Sequence, residues 1–168
     1  MKDLLGLTFG KLIAHFIPGL FVFLSIIISS YDWNQIELFI KDHSTIVVLL
    51  GSLLSLACGL ILDSIRYLFT WIPKVSKTYR NWSTYSTSKA NEDDRRYHDW
   101  IAEHHFRFHQ FYGNLSLGLF FSSILLHLGR TSFENLWVPY SLSVICALSA
   151  VLTFYTTISR LKKRFPNK

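Results

Sequence analysis

The chain has 168 residues, a formal net charge of +6 and 17% charged residues, against roughly 25% in a typical soluble domain. Half of the residues are hydrophobic and occur in long uninterrupted runs, which excludes a water-soluble fold and a disordered chain. The two cysteines, Cys58 and Cys146, lie inside apolar runs, so the sequence offers neither a disulfide framework nor a paired-cysteine metal site. Composition therefore indicates a membrane protein.

Four stretches approach the length of about 20 apolar residues that a helix needs to cross a bilayer. They cover residues 12–30, 45–62, 111–128 and 136–158. The last three contain no Asp, Glu, Lys or Arg, and the only ionisable residue in the first is His15, near its start. The sequence therefore predicts an all-α protein, a bundle of four transmembrane helices.

The first stretch is expected to be a retained anchor rather than a cleaved signal peptide. It is long, contains Pro18 and lacks a small-residue cleavage pattern near Ser29 and Ser30. Pro18 frees a backbone carbonyl one turn earlier, and we expect a neighbouring helix to satisfy that carbonyl.

The basic residues predict the orientation of the spans. Fifteen of the 17 Lys and Arg residues flank the spans on one side, and only Lys41 and Arg130 lie on the other. The positive-inside rule therefore places both termini and the middle segment in the cytoplasm, as expected for a multi-pass protein of the bacterial inner membrane. Because the charge reflects topology, no direct nucleic-acid binding is expected. The outer segments, 31–44 and 129–135, are predicted to be short loops.

Three regions follow: a first transmembrane hairpin (1–72), a cytoplasmic linker with an amphipathic helix (73–110), and a second hairpin with a basic tail (111–168). In the amphipathic helix, apolar and histidine side chains recur at heptad-like spacing and continue into the third span, which predicts one continuous helix. The stripe consists of Tyr97, Ile101, His104, Phe108, Phe111 and Leu115. Its expected packing partner is the end of the second span at Arg66 and Leu68, the linker around Trp82, or the same helix of another subunit.

Four histidines, His98, His104, His105 and His109, occur within twelve residues of this helix. The His105 and His109 side chains are one turn apart and could grip one metal ion, but the cytoplasmic side has no second histidine box. The alternatives are interfacial packing and a pH-sensing or anion-binding collar. No metal or cofactor is predicted, and no catalytic motif is legible, which leaves only an enzyme with an unrecognised site.

Polar residues are expected to meet at the cytoplasmic mouth of the bundle. Asp63 and Arg66 end the second span, His15 lies near the start of the first, and Asn114 has the corresponding depth in the third. Ionisable groups at membrane depth usually face protein or a water-filled path. Either the Asp63–Arg66 pair merely ends its helix, or the four residues form a gate, a proton path or a ligand-sensing joint.

Small residues predict where helices approach closely. Gly51, Ser55 and Gly59 follow one another at four-residue spacing on the second span. This ridge serves packing within one chain or contacts between subunits.

Three segments carry a resemblance in overall plan: HFIPGLFVF in the first span, GLILDSIR at the end of the second, and RRYHDWIAEHHFRFHQFYGN before the third. With them, the chain resembles small multi-pass membrane effectors encoded beside bacterial antiviral defence modules. The resemblance implies a homo-oligomeric, channel-like or membrane-perturbing protein that responds to a cytoplasmic protein or a small ligand. The alternative is a non-conducting accessory or immunity-type subunit that binds another membrane protein.

Overall fold

The computed structural model describes residues 2–68, 92–101, 107–129 and 137–164, and nearly all of these residues are helical. Within them, five α-helices follow one another along the chain, which confirms the predicted all-α fold. They are α1 (Lys2–Ser30), α2 (Trp33–Leu68), α3 (Glu92–Ile101), α4 (Arg107–Leu128) and α5 (Trp137–Arg164).

Four of these helices, α1, α2, α4 and α5, are long and apolar enough to cross a membrane, which confirms the four predicted spans. Burial supports the same conclusion. Completely buried positions include Ser55, Ser123 and Thr157, whereas many large apolar side chains, such as Leu53 and Leu152, are exposed. Small and polar residues between helices, with large apolar residues outside, are typical of proteins in lipid. The chain is a multi-pass membrane protein.

α1 packs between α2 and α4, antiparallel to the first and parallel to the second. α5 packs antiparallel along α4, and α2 also contacts α4. As a result, α1 and α4 begin at the same end of the bundle at which α2 and α5 end. We refer to this end, which carries Arg66 and the Lys and Arg residues of α5, as the basic end.

The segment predicted as an outer loop, 31–44, is largely helical, because α2 begins at Trp33. The main-chain N–H of Gln35 donates to the Asp32 carbonyl at 3.0 Å, and the Asp32 N–H donates to Gln35 Oε1 at 3.4 Å, which caps the helix start. The backbone of His43 is not helical (φ −132°, ψ 34°), so a short helical segment precedes the membrane span. The segment mixes polar and apolar residues, so a prediction of helices from long apolar runs does not find it.

The amphipathic segment begins with Glu92, Asp93 and Asp94 in its first turn, where acids complement the helix dipole. It ends at Ile101 in the described part, and α4 begins at Arg107. The five residues between them lie outside the described residues. The continuity of the two helices therefore stays a prediction.

Candidate functional site

Asn114 of α4 is the centre of a polar cluster at the basic end. Its side chain is completely buried, so its amide atoms need partners within the protein. Arg66 Nε donates to Asn114 Oδ1 at 3.0 Å, and Asn114 Nδ2 donates to Asp63 Oδ1 at 3.1 Å. Asn114 thus binds both charged residues at the end of α2.

Asp63 and Arg66 also pair with each other. Arg66 donates to Asp63 Oδ1 from Nε at 3.1 Å and from Nη2 at 2.7 Å, and the Arg66 side chain is only 11% exposed. The stem of Arg66 crosses α4 at Gly113, where a Cβ would lie 2.7 Å from Arg66 Cδ. Because the carboxylate and the guanidinium pair, neither charge is isolated at membrane depth. The pair therefore contacts α4 as well as ending α2.

Pro18 has no main-chain N–H, so the carbonyl of Ala14, four residues earlier, lacks its helical donor. Asn114 Nδ2 donates to this oxygen across the helix interface at 3.3 Å. The prediction that a neighbouring helix satisfies the freed carbonyl is confirmed. The carbonyl of Pro18 faces Gly118 of α4, where a Cβ would lie only 2.8 Å away. The proline thus creates a contact point for α4.

His15 adds an imidazole to the cluster from α1. Its Nδ1 lies 3.4 Å from Asn114 Nδ2. The two N–H groups of Asn114 Nδ2 donate to Asp63 Oδ1 and to the Ala14 carbonyl, so the imidazole lies beside this amide as a close neighbour. The four residues expected at the mouth thus meet and join α1, α2 and α4. Their role in gating or sensing stays a prediction.

His109 contacts α5. Its Nδ1 donates to the main-chain carbonyl of Ala150 at 3.0 Å, and its ring centroid lies 4.9 Å from that of Phe154. This geometry gives His109 a role in packing α4 against α5.

The side chains of the other three histidines of the run, His98, His104 and His105, lie outside the part of the chain that the structure describes. Among the residues that the structure describes, no three His, Cys, Asp or Glu side chains group in a way that could hold a metal ion.

Ser55 and Gly59 form the crossing of α2 with α1. A Cβ on Gly59 would collide with the main chain of His15, and one on Gly19 would collide with the main chain of Ser55. A Cβ on Gly51 would meet only an aromatic ring, at 3.4 Å. The predicted ridge therefore packs tightly within the chain at two of its three positions. The spacing of small residues along α2 cannot predict Gly19, because Gly19 lies on the facing helix. Its position directly after Pro18 is the sequence feature that could have predicted this contact.

α3 docks on the last turns of α5. Ile101 and Leu161 are both completely buried and pack together, with Tyr97 against them. The guanidinium of Arg164 lies 5.7 Å from the centroid of the Tyr97 ring, and Arg164 Nε lies 3.5 Å from Asp94 Oδ1. The apolar stripe thus packs on the end of the fourth span, which is not among the three partners expected from the sequence.

No family model, curated protein or solved structure matches this chain. In the polar cluster around Asn114, hydrogen bonds join a carboxylate, a guanidinium and an amide at one end of the spans, and the His15 imidazole lies 3.4 Å from the amide nitrogen. An axial shift of α4 would break its bonds to α1 and to α2 together.

Proposed function

We propose that this chain is a non-enzymatic, homo-oligomeric membrane effector, channel-like or membrane-perturbing, that is controlled through α3. The distribution of basic residues favours the bacterial inner membrane with both termini and α3 in the cytoplasm. A reporter fused after Trp100 and active in the periplasm would contradict this orientation. The setting in antiviral defence rests on the resemblance in plan, and a cytoplasmic protein or a small ligand acts as the trigger.

The connection of α3 to both halves of the bundle carries this proposal. α3 docks on α5 through Ile101 and Leu161, and α4 begins only six residues after α3 ends. α4 in turn holds α1 and α2 through Asn114. A ligand that displaces α3 therefore acts on the helix that contacts both halves of the bundle.

Several copies are needed for conduction. The backbones of α1 and α2 touch at Gly19 and Gly59, which leaves no space for a water-filled path at that crossing. The large apolar side chains of α2 and α5 face outward, where they meet lipid or other copies. A path for ions would then run between subunits.

Leakage from expressing cells tests the effector function. Cells that produce the protein are expected to take up a small dye, and Asp63→Leu is expected to relieve the leak because it removes the carboxylate that Arg66 and Asn114 share. Ser64→Ala is the matched control, since the Ser64 hydroxyl donates to the Leu60 carbonyl of its own helix. Immunoblots of the membrane fraction equalise the amounts. Intact membranes at every expression level would contradict the proposal.

A charge exchange tests control through α3 separately. Arg164→Glu opposes Asp94 with a like charge and is expected to raise dye uptake, because the repulsion weakens the docking of α3 on α5. Adding Asp94→Arg restores an opposite pair and is expected to bring uptake back towards that of the unmodified protein. Equal uptake by the single and the double variant would refute the role of α3 while leaving the leak itself intact.

A proline at Phe108 tests how α3 connects to α4. Phe108 lies in the first turn of the described α4, where a proline removes no main-chain hydrogen bond. Relief of the leak by Phe108→Pro, but not by Phe108→Ala, would require a helix that extends back towards α3. A leak from both variants would favour a jointed connection.

The direct backbone contact between α1 and α2 favours a second function, a rigid accessory or immunity-type subunit that binds another membrane protein. This function predicts that the protein carries no ion current in bilayer recordings and co-purifies stably with one membrane partner.

A further inference from the structure

We infer that the end of α5 binds the phosphate headgroup of an anionic phospholipid through Tyr155, Ser159, Lys162 and Lys163. The site is separate from the cluster around Asn114 and does not depend on the proposed effector function. The position of these side chains, their charge and the apolar surface beside them all favour such a ligand.

The four side chains share one open groove with Ile158. Tyr155, Ser159 and Lys163 follow one another at four-residue spacing, and Ile158 and Lys162 form the adjacent row. On a helix these positions lie on one face, so two ammonium groups and two hydroxyl groups converge there. Except for Ile158, these residues are exposed. Such a set matches the oxygen atoms of a phosphate, which accept hydrogen bonds and carry negative charge.

The groove lies where the exposed surface of α5 changes from apolar to basic. Large apolar side chains remain exposed along α5 as far as Tyr155, and Lys162 and Lys163 follow in its last turn, which is the order expected where a helix leaves the hydrocarbon for the headgroups. Ser159, Lys162 and Lys163 lie beyond the last of these exposed apolar side chains.

The lysines differ from their neighbour Arg164 in their partners. Arg164 contacts Asp94 and Tyr97, whereas no carboxylate pairs with Lys162 or Lys163 in the part of the chain that the structure describes. Anionic lipids attract lysines at the membrane surface. The two ammonium groups are therefore available to a phosphate.

Exposed apolar residues on the hydrocarbon side of the groove distinguish a lipid from a free anion. Leu148, Val151 and Leu152 are each about half exposed or more on the preceding turns of α5. They offer a surface for acyl chains directly beside the phosphate-binding groups. A ligand with both a phosphate and acyl chains uses both surfaces, and inorganic phosphate uses only one.

Native mass spectrometry of the full-length protein in detergent tests the site. With added phosphatidylglycerol or phosphatidylcholine, we expect tighter retention of the anionic lipid. The double variant Lys162→Gln, Lys163→Gln is expected to lose roughly tenfold to thirtyfold in affinity for phosphatidylglycerol. Lys74→Gln, Lys77→Gln is the matched control, because it removes the same charge from the same predicted side.

The remaining outcomes decide between a site and simpler explanations. Arginine at both positions 162 and 163 is expected to preserve binding. Equal losses of lipid affinity in the two glutamine double variants would mean that the charge attracts the lipid without a specific site, which would overturn the site. Displacement of the lipid by inorganic phosphate would overturn the choice of ligand. If the glutamine pair at 162 and 163 lowers the melting temperature, Tyr155→Phe with Ser159→Ala replaces it, with a loss of a few fold expected; unchanged affinity there would also overturn the site.

Discussion

The α1–α2 pair and the α4–α5 pair are held together by different interactions. Where α1 crosses α2, the main chain of His15 lies against Gly59 with no space for a side chain. Where α4 crosses α5, Ser116 Oγ donates to the Ser143 carbonyl at 2.9 Å, and Ser143 Oγ donates to the Ser116 carbonyl at 2.9 Å. The first contact depends on the absence of side chains and the second on an exchange of hydrogen bonds.

In lipid, the burial of apolar area does not drive helices together, so close packing and polar contacts must do so. Where two helix backbones touch, there is no space for an added side-chain atom, because a backbone cannot rotate out of the contact as a side chain can. A contact between serine hydroxyls adapts, because each hydroxyl can rotate to a carbonyl of its own helix. The two pairs should therefore differ in their sensitivity to small substitutions.

The largest effect is expected from Gly59→Ala. The new Cβ would collide with the main chain of His15, which separates α1 from α2, and we expect a loss of about 3 kcal/mol in the free energy of unfolding. Gly51→Ala places the same atom on the same helix 3.4 Å from an aromatic ring and is expected to change stability by under about 1 kcal/mol. Unfolding in detergent, followed by circular dichroism, compares the two. Similar losses would refute the close approach at Gly59.

A smaller loss is expected from Asn114→Leu, which affects the link between the two pairs. Leucine leaves the Ala14 carbonyl without a donor and removes the amide from Asp63 and Arg66, which we expect to cost about 2 kcal/mol. Ser123→Ala is the control: Ser123 is as deeply buried, but its hydroxyl donates to Leu119 of its own helix, so the expected cost is under about 0.5 kcal/mol. Equal effects on the unfolding curve would mean that Asn114 only fills space.

The sequence predicts the spans and much of the polar cluster for a physical reason. Crossing a bilayer requires long apolar runs, so the spans stand out in the composition. Antiparallel neighbours then bring residues of similar depth to one end, which is why His15, Asp63, Arg66 and Asn114 could be grouped before their contacts were known. The proline-freed carbonyl followed from covalent chemistry alone.

The remaining features depend on which helices are neighbours, and sequence periodicity does not determine this. Gly19 matters because of Ser55 on another helix, and the stripe on α3 packs on Leu161, more than fifty residues further along the chain. The helical segment before His43 is too polar for a hydropathy criterion, yet the capping contact between Asp32 and Gln35 is local and could have been predicted from the pair itself.

The smallest effect is expected at the serine exchange. A double-mutant cycle of Ser116→Ala and Ser143→Ala should give a coupling energy of about 0.6 kcal/mol, as is typical of hydrogen bonds between membrane helices. Each single variant leaves a hydroxyl that can turn to its own helix, as Ser55 does to the Gly51 carbonyl at 2.6 Å, which keeps the coupling low. Because alanine is hardly smaller than serine, the cycle measures the bonds rather than a cavity. A coupling above about 2 kcal/mol would mean that the serines are as constrained as the glycine crossing, and the contrast between the two helix pairs would then be lost.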